Sequence, residues 1–225
     1  MLIAAALLLV PERARLRIVP WLVSYAVGTL LGAALLAILP QVLTELDPSI
    51  ALGVLLAGII TFFVLETLVV WRHCHTDECA VHGVTVSVVL VGDAFHNFVD
   101  GAVIGASVMT STALGISSAL AVAAHEIPQE VGDFAILLHA GYGRGKAVGL
   151  NLLSGTSAIV GAAAAALAFE VVPSLAPYFL AFTAASFLYV AMADLMPDLH
   201  RGTTGGSALR QILLVLAGIL SIVAL

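Results

Sequence analysis

The fold is decided by residues 84–139, which read VTVSVVLVGDAFHNFVDGAVIGASVMTSTALGISSALAVAAHEIPQEVGDFAILLH. This stretch contains two long apolar runs, 84–108 and 113–139, and each is longer than the roughly 20 residues that cross a bilayer as a helix. Further runs of this kind lie at 18–40, 49–71, 145–169, 175–196 and 208–225. The first ten residues are also apolar, but at about 1.5 Å per residue they cross only half of the hydrocarbon. The sequence therefore predicts an all-α, polytopic membrane helix bundle of seven to eight transmembrane helices.

The composition supports a membrane protein. Hydrophobic residues make up 61% of the 225 residues and charged residues 10%, and the mean hydropathy is +1.14. A soluble domain carries roughly 25% charged residues, so these values exclude a soluble enzyme, a nucleic-acid binder and a disordered regulator. A secreted disulfide scaffold is excluded because the chain has only two cysteines. We expect one transmembrane domain, 1–225, in contact with membrane lipid and without a nucleic-acid partner.

The basic residues predict an orientation. If the first ten residues count as span one, all eight Lys and Arg residues follow odd-numbered spans, and the positive-inside rule places those loops in the cytoplasm. Loop 72–83 is then cytoplasmic, and it is either a weak, exchangeable metal-binding segment or an ordinary polar loop. Short loops and helices rich in Ala, Leu and Val favour a bacterial inner membrane. The metal-binding residue types in the loop are His73, Cys74, His75, Cys79 and His82.

Two distant segments are weakly similar to each other. Residues 33–41 read AALLAILPQ at the end of span two, and residues 189–198 read YVAMADLMPD at the end of span seven. Each segment closes on a proline. The similarity favours inverted repeats of three helices, as many transporters have.

The acids inside the apolar spans point to a cation. Seven of the fourteen Asp and Glu residues lie within the predicted spans, whereas the Lys and Arg residues lie in the loops or, as with Lys146 and Arg210, within the first three residues of a span. A charged carboxylate in mid-membrane costs at least about 2.5 kcal/mol on insertion scales, so these groups need neutralisation from outside the sequence. The acids are Glu66, Asp93, Asp100, Glu126, Glu130, Asp133 and Asp194.

Helical spacing groups the polar residues of spans four and five. Ligands four residues apart point to the same side of a helix, so His96 and Asp100 from one span and His125 and Gln129 from the other can surround one divalent ion. Asn97, Glu126 and Glu130 are then near enough for a second ion. Pro128 leaves a backbone carbonyl without its helical donor. Gly101 and Gly105, four residues apart, allow another backbone to approach closely.

Other polar residues have less specific roles. Asp93, Asp133 and Asp194 are candidates for orienting a ligand or packing helices, and Glu66 for gating or packing. For Asn151, a ligand and an interhelical hydrogen bond are both open.

Two alternatives to a transporter are open on the residues alone. An intramembrane zinc-dependent metalloenzyme would use His125 and Glu126 with a zinc-bound water, but the zincin motif needs a second histidine where Gln129 stands. A metal-sensing or purely structural protein would need all seven acids to be neutral and packed.

The two polar helices carry a family resemblance. HNFVDGAVIGAS (96–107) resembles the HNxxDG helix of the Zrt- and Irt-like (ZIP) metal transporters, and HEIPQEVGDFAIL (125–137) is similar to the HExPHExGDF helix of one of their subfamilies. The similarity extends from span two to span seven.

The resemblance implies uptake of Zn²⁺, or of Mn²⁺, Fe²⁺ or Cd²⁺, into the cytoplasm between spans four and five, by a homodimer with eight spans per chain and no organic cofactor. It assigns His96, Asp100, His125 and Gln129 to a first metal, and Asn97, Glu126 and Glu130 to a second. Gln129 stands where the subfamily has histidine, which favours harder ions.

Overall fold

The structure, a computed structural model, describes residues 12–73, 82–201 and 205–225. All regular secondary structure within these ranges is helical. The helices, with two π-helical segments π1 and π2 and one 3-10 turn, are α1 (Glu12–Gly32), π1 (Ala33–Ile38), α2 (Leu39–Glu45), α3 (Pro48–His73), α4 (His82–Thr110), α5 (Thr112–His139), α6 (Arg144–Gly155), α7 (Ser157–Val171), the 3-10 turn (Pro173–Leu175), α8 (Ala176–Tyr189), π2 (Val190–Leu195), α9 (Met196–Arg201) and α10 (Gly205–Val223).

The apolar runs of the sequence become long helices. Four helical stretches in the described ranges are long and apolar enough to cross a membrane: Arg17–Glu45, Pro48–Leu65, Arg144–Val171 and Pro173–Leu195. Helices α4 and α5, with 29 and 28 residues, are also long enough, but they carry most of the buried acids and amides. Only 11% of the Pro48–Leu65 window is buried, so this apolar helix has the surface of a lipid-facing span. The predicted all-α membrane bundle is confirmed.

Helices α4 and α5 form an antiparallel hairpin. Ser111, the single residue between them, is extended, and its side chain accepts a hydrogen bond from the N–H of Leu114, which caps the start of α5. Beside this turn, the buried hydroxyls of Ser107 and Ser118 lie 2.8 Å apart in an interhelical hydrogen bond. Because the turn is so short, the two polar stripes of the sequence face each other across the hairpin.

Small residues bring α7 into backbone contact with α4. A Cβ atom added at Gly101 would lie 1.9 Å from the carbonyl oxygen of Ala158, and one added at Gly161 would lie 1.9 Å from that of Phe98. Only glycine permits this approach, so the close packing expected from Gly101 is present and its partner is α7. Helix α6 precedes α7 in the same span, with a break at Thr156, and so lies beside the hairpin as well.

The two similar sequence segments have the same backbone. The segments π1 and π2 are each six residues long and each ends two residues before a proline, Pro40 or Pro197. The N–H of the residue before each proline bonds five residues back, Leu39 to Ala34 and Met196 to Ala191. A proline cannot donate to the carbonyl four residues back and its ring clashes there, and the wider π turn accommodates it. This correspondence supports the predicted repeat.

Candidate metal centre

Four side chains of metal-ligand type converge from α4 and α5. His96 and Asp100 are four residues apart on α4 and lie on the same face of that helix. His125 and Glu126 approach them from α5. One ligand atom from each of the four lies within 4.8 Å of every other. We call this set the four-residue group.

The distances in the four-residue group suit a single small cation. His96 Nε2 lies 3.3 Å from His125 Nε2. It lies 3.7 Å from Asp100 Oδ2 and 3.6 Å from Glu126 Oε1. His125 Nε2 lies 3.0 Å from Asp100 Oδ2 and 3.9 Å from Glu126 Oε1. Ligand atoms about 2.0–2.1 Å from a tetrahedral zinc ion are about 3.4 Å apart, so these distances match one ion held at the centre.

The backbone of α5 selects the tautomer of His125. Its Nδ1 lies 3.0 Å from the carbonyl oxygen of Ala121, one turn earlier. A carbonyl only accepts hydrogen bonds, so Nδ1 carries the proton and, in the neutral ring, Nε2 carries the lone pair, with His96 Nε2 3.3 Å away. That lone pair faces Asp100 Oδ2 at 3.0 Å. Either a proton or a metal ion between these two atoms makes the contact favourable, and a backbone-bonded imidazole is the usual arrangement of a metal ligand.

Unpaired oxygens add to the negative character of the group. Asp100 is 2% exposed and Glu126 7%. Asp100 Oδ2 and Glu126 Oε1 are buried and have no hydrogen-bond partner. A buried carboxylate oxygen without a partner is costly, and a divalent cation at this point would satisfy both.

One member of the group is open to solvent. The His96 side chain is 26% exposed, whereas those of His125 and Asp100 are 2% and 3% exposed. The His125 ring lies edge-on to Phe187 of α8, with centroids 6.4 Å apart. The group is therefore closed by an apolar ring beside His125 and accessible beside His96.

The second set of predicted ligands does not coincide with this group. Glu126, which the sequence assigned to a second ion, lies in the four-residue group. The Asn97 amide nitrogen donates to both the backbone carbonyl and the Oδ1 of Asp93, at 3.1 and 2.8 Å. Glu130 is buried one turn beyond Glu126, and its Oε1 has no hydrogen-bond partner. Asn97 thus holds Asp93 in place.

Gln129 and Pro128 are two further residues of α5 for which the sequence predicted a role in the site. Gln129 is half-buried, one helical turn beyond His125. Its role as a ligand stays a prediction. Helix α5 continues through the buried Pro128 from Thr112 to His139.

The remaining predicted residues differ in their surroundings. Asp133 is half-buried on α5, and Asp194 is exposed in π2. Asn151 of α6 donates to the backbone carbonyl of Glu130 at 3.1 Å, the interhelical bond that the sequence left open. Cys74, His75 and Cys79, and the side chains of Glu66, His73 and His82, lie outside the described residues.

Sequence reasoning missed two contributors. The Ala121 carbonyl orients the His125 ring. Because this carbonyl belongs to the residue four positions before a histidine in a helix, the contact could have been predicted from the sequence. Phe187 packs on the same ring from α8. Its sequence surroundings are uniformly apolar, so no local pattern distinguishes it.

Known proteins resemble this chain over most of its length. The family model described as "ZIP Zinc transporter" matches residues 71–225. Zinc transporter ZIP13 of Pongo abelii is 34% identical over 217 residues, 90% of this chain and 65% of that protein. Zinc transporter foi of Drosophila melanogaster is 40% identical over 133 residues, 59% of this chain and 18% of that protein. Zinc transporter SLC39A7 of Homo sapiens is 38% identical over 141 residues, 60% of this chain and 30% of that protein. The chain thus spans less than two thirds of the length of each of these relatives.

Proposed function

Because the chain belongs to the ZIP zinc transporter family, we propose that it moves a divalent metal ion, foremost Zn²⁺, into the cytoplasm through the four-residue group between α4 and α5. Proteins of this family are transporters and not enzymes, which removes the intramembrane metalloenzyme alternative. The chain is an integral membrane protein.

One observation carries the proposal. His125 Nε2 and Asp100 Oδ2 belong to almost fully buried side chains and face each other at 3.0 Å, and ligand atoms of His96 and Glu126 lie within 4.8 Å of both. In the described part of the chain, no Lys or Arg pairs with this carboxylate. A mobile divalent cation supplies the missing positive charge, and two histidines with two carboxylates are donors that Zn²⁺ accepts.

The donor set favours exchange over permanent binding. Mixed imidazole and carboxylate ligands on two helices hold an ion less firmly than a closed cage of four thiolates. Gln129, one turn from His125, would add an amide oxygen and favour harder ions such as Mn²⁺ or Fe²⁺. Zn²⁺, Mn²⁺, Fe²⁺ and Cd²⁺ are therefore all within the proposed substrate class.

The charges along the chain are compatible with inward transport, the direction that the family resemblance implies. Asp93 precedes His96 on α4, and Glu130 and Asp133 follow Glu126 on α5. In an antiparallel hairpin these acids all lie on the same side of the four-residue group. That side leads to the loops that the basic residues place in the cytoplasm, so an ion moving inward would pass these acids after it leaves the four-residue group.

The setting of the transporter is part of the proposal. The family resemblance favours a homodimer in the bilayer, with 1–225 as one transporter domain and loop 72–83 facing the cytoplasm. Short loops and Ala/Leu/Val-rich helices favour a bacterial inner membrane, although the relatives named above are animal proteins.

Uptake by proteoliposomes tests the proposal. The full chain is reconstituted, Zn²⁺ is added outside, and a zinc-sensitive dye reports its arrival inside. We expect His125→Ala to lower uptake by roughly tenfold or more, since loss of an outer-sphere partner alone weakens metal affinity 10- to 100-fold. His139→Ala is the matched control, because it removes an exposed histidine at the end of the same helix.

The outcomes separate cleanly. Normal uptake by His139→Ala with loss in His125→Ala supports the proposal. Wild-type uptake by His125→Ala, or no uptake of any of the four metals by the wild type, contradicts it.

A further inference from the structure

A second group of buried oxygens begins one helical turn from His96. Asp93 is 5% exposed, and on either side of it the α4 backbone accepts hydrogen bonds from Ser154 at the end of α6 and Ser157 at the start of α7, at Leu90 and Ala94. Its Oδ1 accepts the Asn97 amide at 2.8 Å, whereas its Oδ2 is buried without any hydrogen-bond partner. Since the Asn97 amide fixes the carboxylate, Oδ2 is held in a defined position and is available to a ligand.

Helices α5 and α6 contribute two more such oxygens. Glu130 is 2% exposed and Asn151 5% exposed. The Asn151 amide nitrogen donates to the Glu130 backbone carbonyl at 3.1 Å, which places the two residues side by side. Glu130 Oε1 and Asn151 Oδ1 are both buried and unpartnered. An amide that uses its nitrogen to hold a neighbour and leaves its oxygen unpaired is suited to bind a cation.

The charges in this region are not balanced by the protein. Asp93 of α4 and Glu130 and Asp133 of α5 lie on the same side of the four-residue group along the antiparallel hairpin. Within the described ranges, no Lys or Arg forms an ion pair with any of the three. Several carboxylates together in a membrane bundle are mutually repulsive. A bound cation would neutralise them.

This region is separate from the four-residue group. Asp93 precedes His96 by three residues, or about 4.5 Å along α4, and Asp100 by seven, or about 10 Å; Glu130 follows Glu126 by four, or about 6 Å along α5. In the antiparallel hairpin Asp93 and Glu130 are therefore displaced from the four-residue group in the same direction. One ion with bonds of about 2 Å cannot contact all the members of both groups.

We propose that Asp93, Glu130 and Asn151 form a second divalent-cation site, the oxygen site, built only from oxygen donors. Asp133 adds negative charge beside it, and Asn97 is a positioning residue for Asp93. Carboxylate and amide oxygens suit hard cations such as Mn²⁺, whereas the histidines of the four-residue group suit Zn²⁺. The role of the oxygen site as the next stop for a transported ion rests on the proposed function; its binding of Mn²⁺ does not.

Binding of Mn²⁺ to the purified full chain in lipid nanodiscs tests the inference. Calorimetry gives the number of ions, and electron paramagnetic resonance detects nitrogen-14 coupling from a histidine ligand. When the four-residue group is first filled with Zn²⁺, we expect added Mn²⁺ to bind at the oxygen site. Its spectrum should then show no nitrogen coupling, because this site has no histidine ligand. Asp93→Asn and Glu130→Gln keep the side-chain shape and should each weaken this Mn²⁺ binding by roughly 10- to 100-fold.

Two controls make the result specific. Glu45→Gln removes an exposed carboxylate at the end of α2 and should leave both ions bound. Zn²⁺ binding by Asp93→Asn and Glu130→Gln shows that the variants are folded, and His125→Ala should lose the Zn²⁺ but keep the nitrogen-free Mn²⁺ signal.

The inference is overturned if the zinc-filled wild type binds no Mn²⁺, if every bound Mn²⁺ shows nitrogen coupling, or if the two variants bind Mn²⁺ as well as the wild type. In these cases Zn²⁺ uptake through the four-residue group can still be intact, so failure of the oxygen site is distinguishable from failure of the proposed function.

Discussion

Replacing Gly161 with alanine should weaken metal binding without touching a ligand. The added Cβ would lie 1.9 Å from the carbonyl oxygen of Phe98 on α4. The closest ordinary C–H···O contacts are about 3.3 Å, so α4 and α7 must separate locally by about 1.4 Å. Phe98 lies between His96 and Asp100 in the sequence. Metal–ligand distances tolerate only about 0.2 Å, so we expect at least a tenfold loss of Zn²⁺ affinity and about 1–3 kcal/mol of destabilisation from overpacking.

Gly132→Ala on α5 is the matched control, because nothing lies within 4 Å of a Cβ added there. It should bind Zn²⁺ normally and be as stable as the wild type or slightly more so, since alanine favours a helix over glycine by up to about 1 kcal/mol. Calorimetry with Zn²⁺ and thermal unfolding of the purified protein measure the two effects. If Gly161→Ala binds Zn²⁺ with wild-type affinity, close packing of α4 on α7 does not position the site.

Two further predictions concern residue 129 and the start of α3. Gln129→His should shift uptake toward Zn²⁺ over Mn²⁺ in a competition series, because imidazole is a softer ligand than an amide; an unchanged preference would show that residue 129 does not contact the ion. The side-chain hydroxyl and the backbone N–H of Ser49 lower the pKa of Asp47 from its ordinary 3.8. This stabilisation is present above pH 3.8 and is lost as the pH falls through the lowered pKa, so Ser49→Ala should raise the pKa in an NMR titration, and an unshifted curve would mean that the hydroxyl does not matter.

Local patterns predicted much of the molecule. The apolar runs fixed the position of the helices, because a chain in lipid must satisfy its backbone hydrogen bonds within each helix. The spacing of four between His96 and Asp100 placed both on one face of α4, where the structure has them. Gly101 predicted a close backbone approach, and the partner turned out to be α7.

The π segments show where such patterns stop. The paired segments ending at Pro40 and Pro197 indicated a repeat, yet nothing in either segment specified a π turn over an ordinary proline kink. The choice between a π turn and a kink depends on the space that neighbouring helices leave around the backbone. Helix α8 packs against both π1 and π2.

By itself the amino-acid sequence predicted that α4 and α5 are long helices that carry several acids and two histidines suited to bind a cation. Tertiary structure alone decided how the polar residues are divided. Both His125 with Gln129 and Glu126 with Glu130 have helical spacing of four, so periodicity cannot say which of them reaches His96. The rotation of α5 decides it, set by the Ser111 turn and by Phe187 packing from α8. As a result, Glu126 lies with the two histidines, whereas Glu130 lies beside Asn151. The direction of each side chain depends on how the neighbouring helices hold α5, and the sequence of α5 alone does not contain that information.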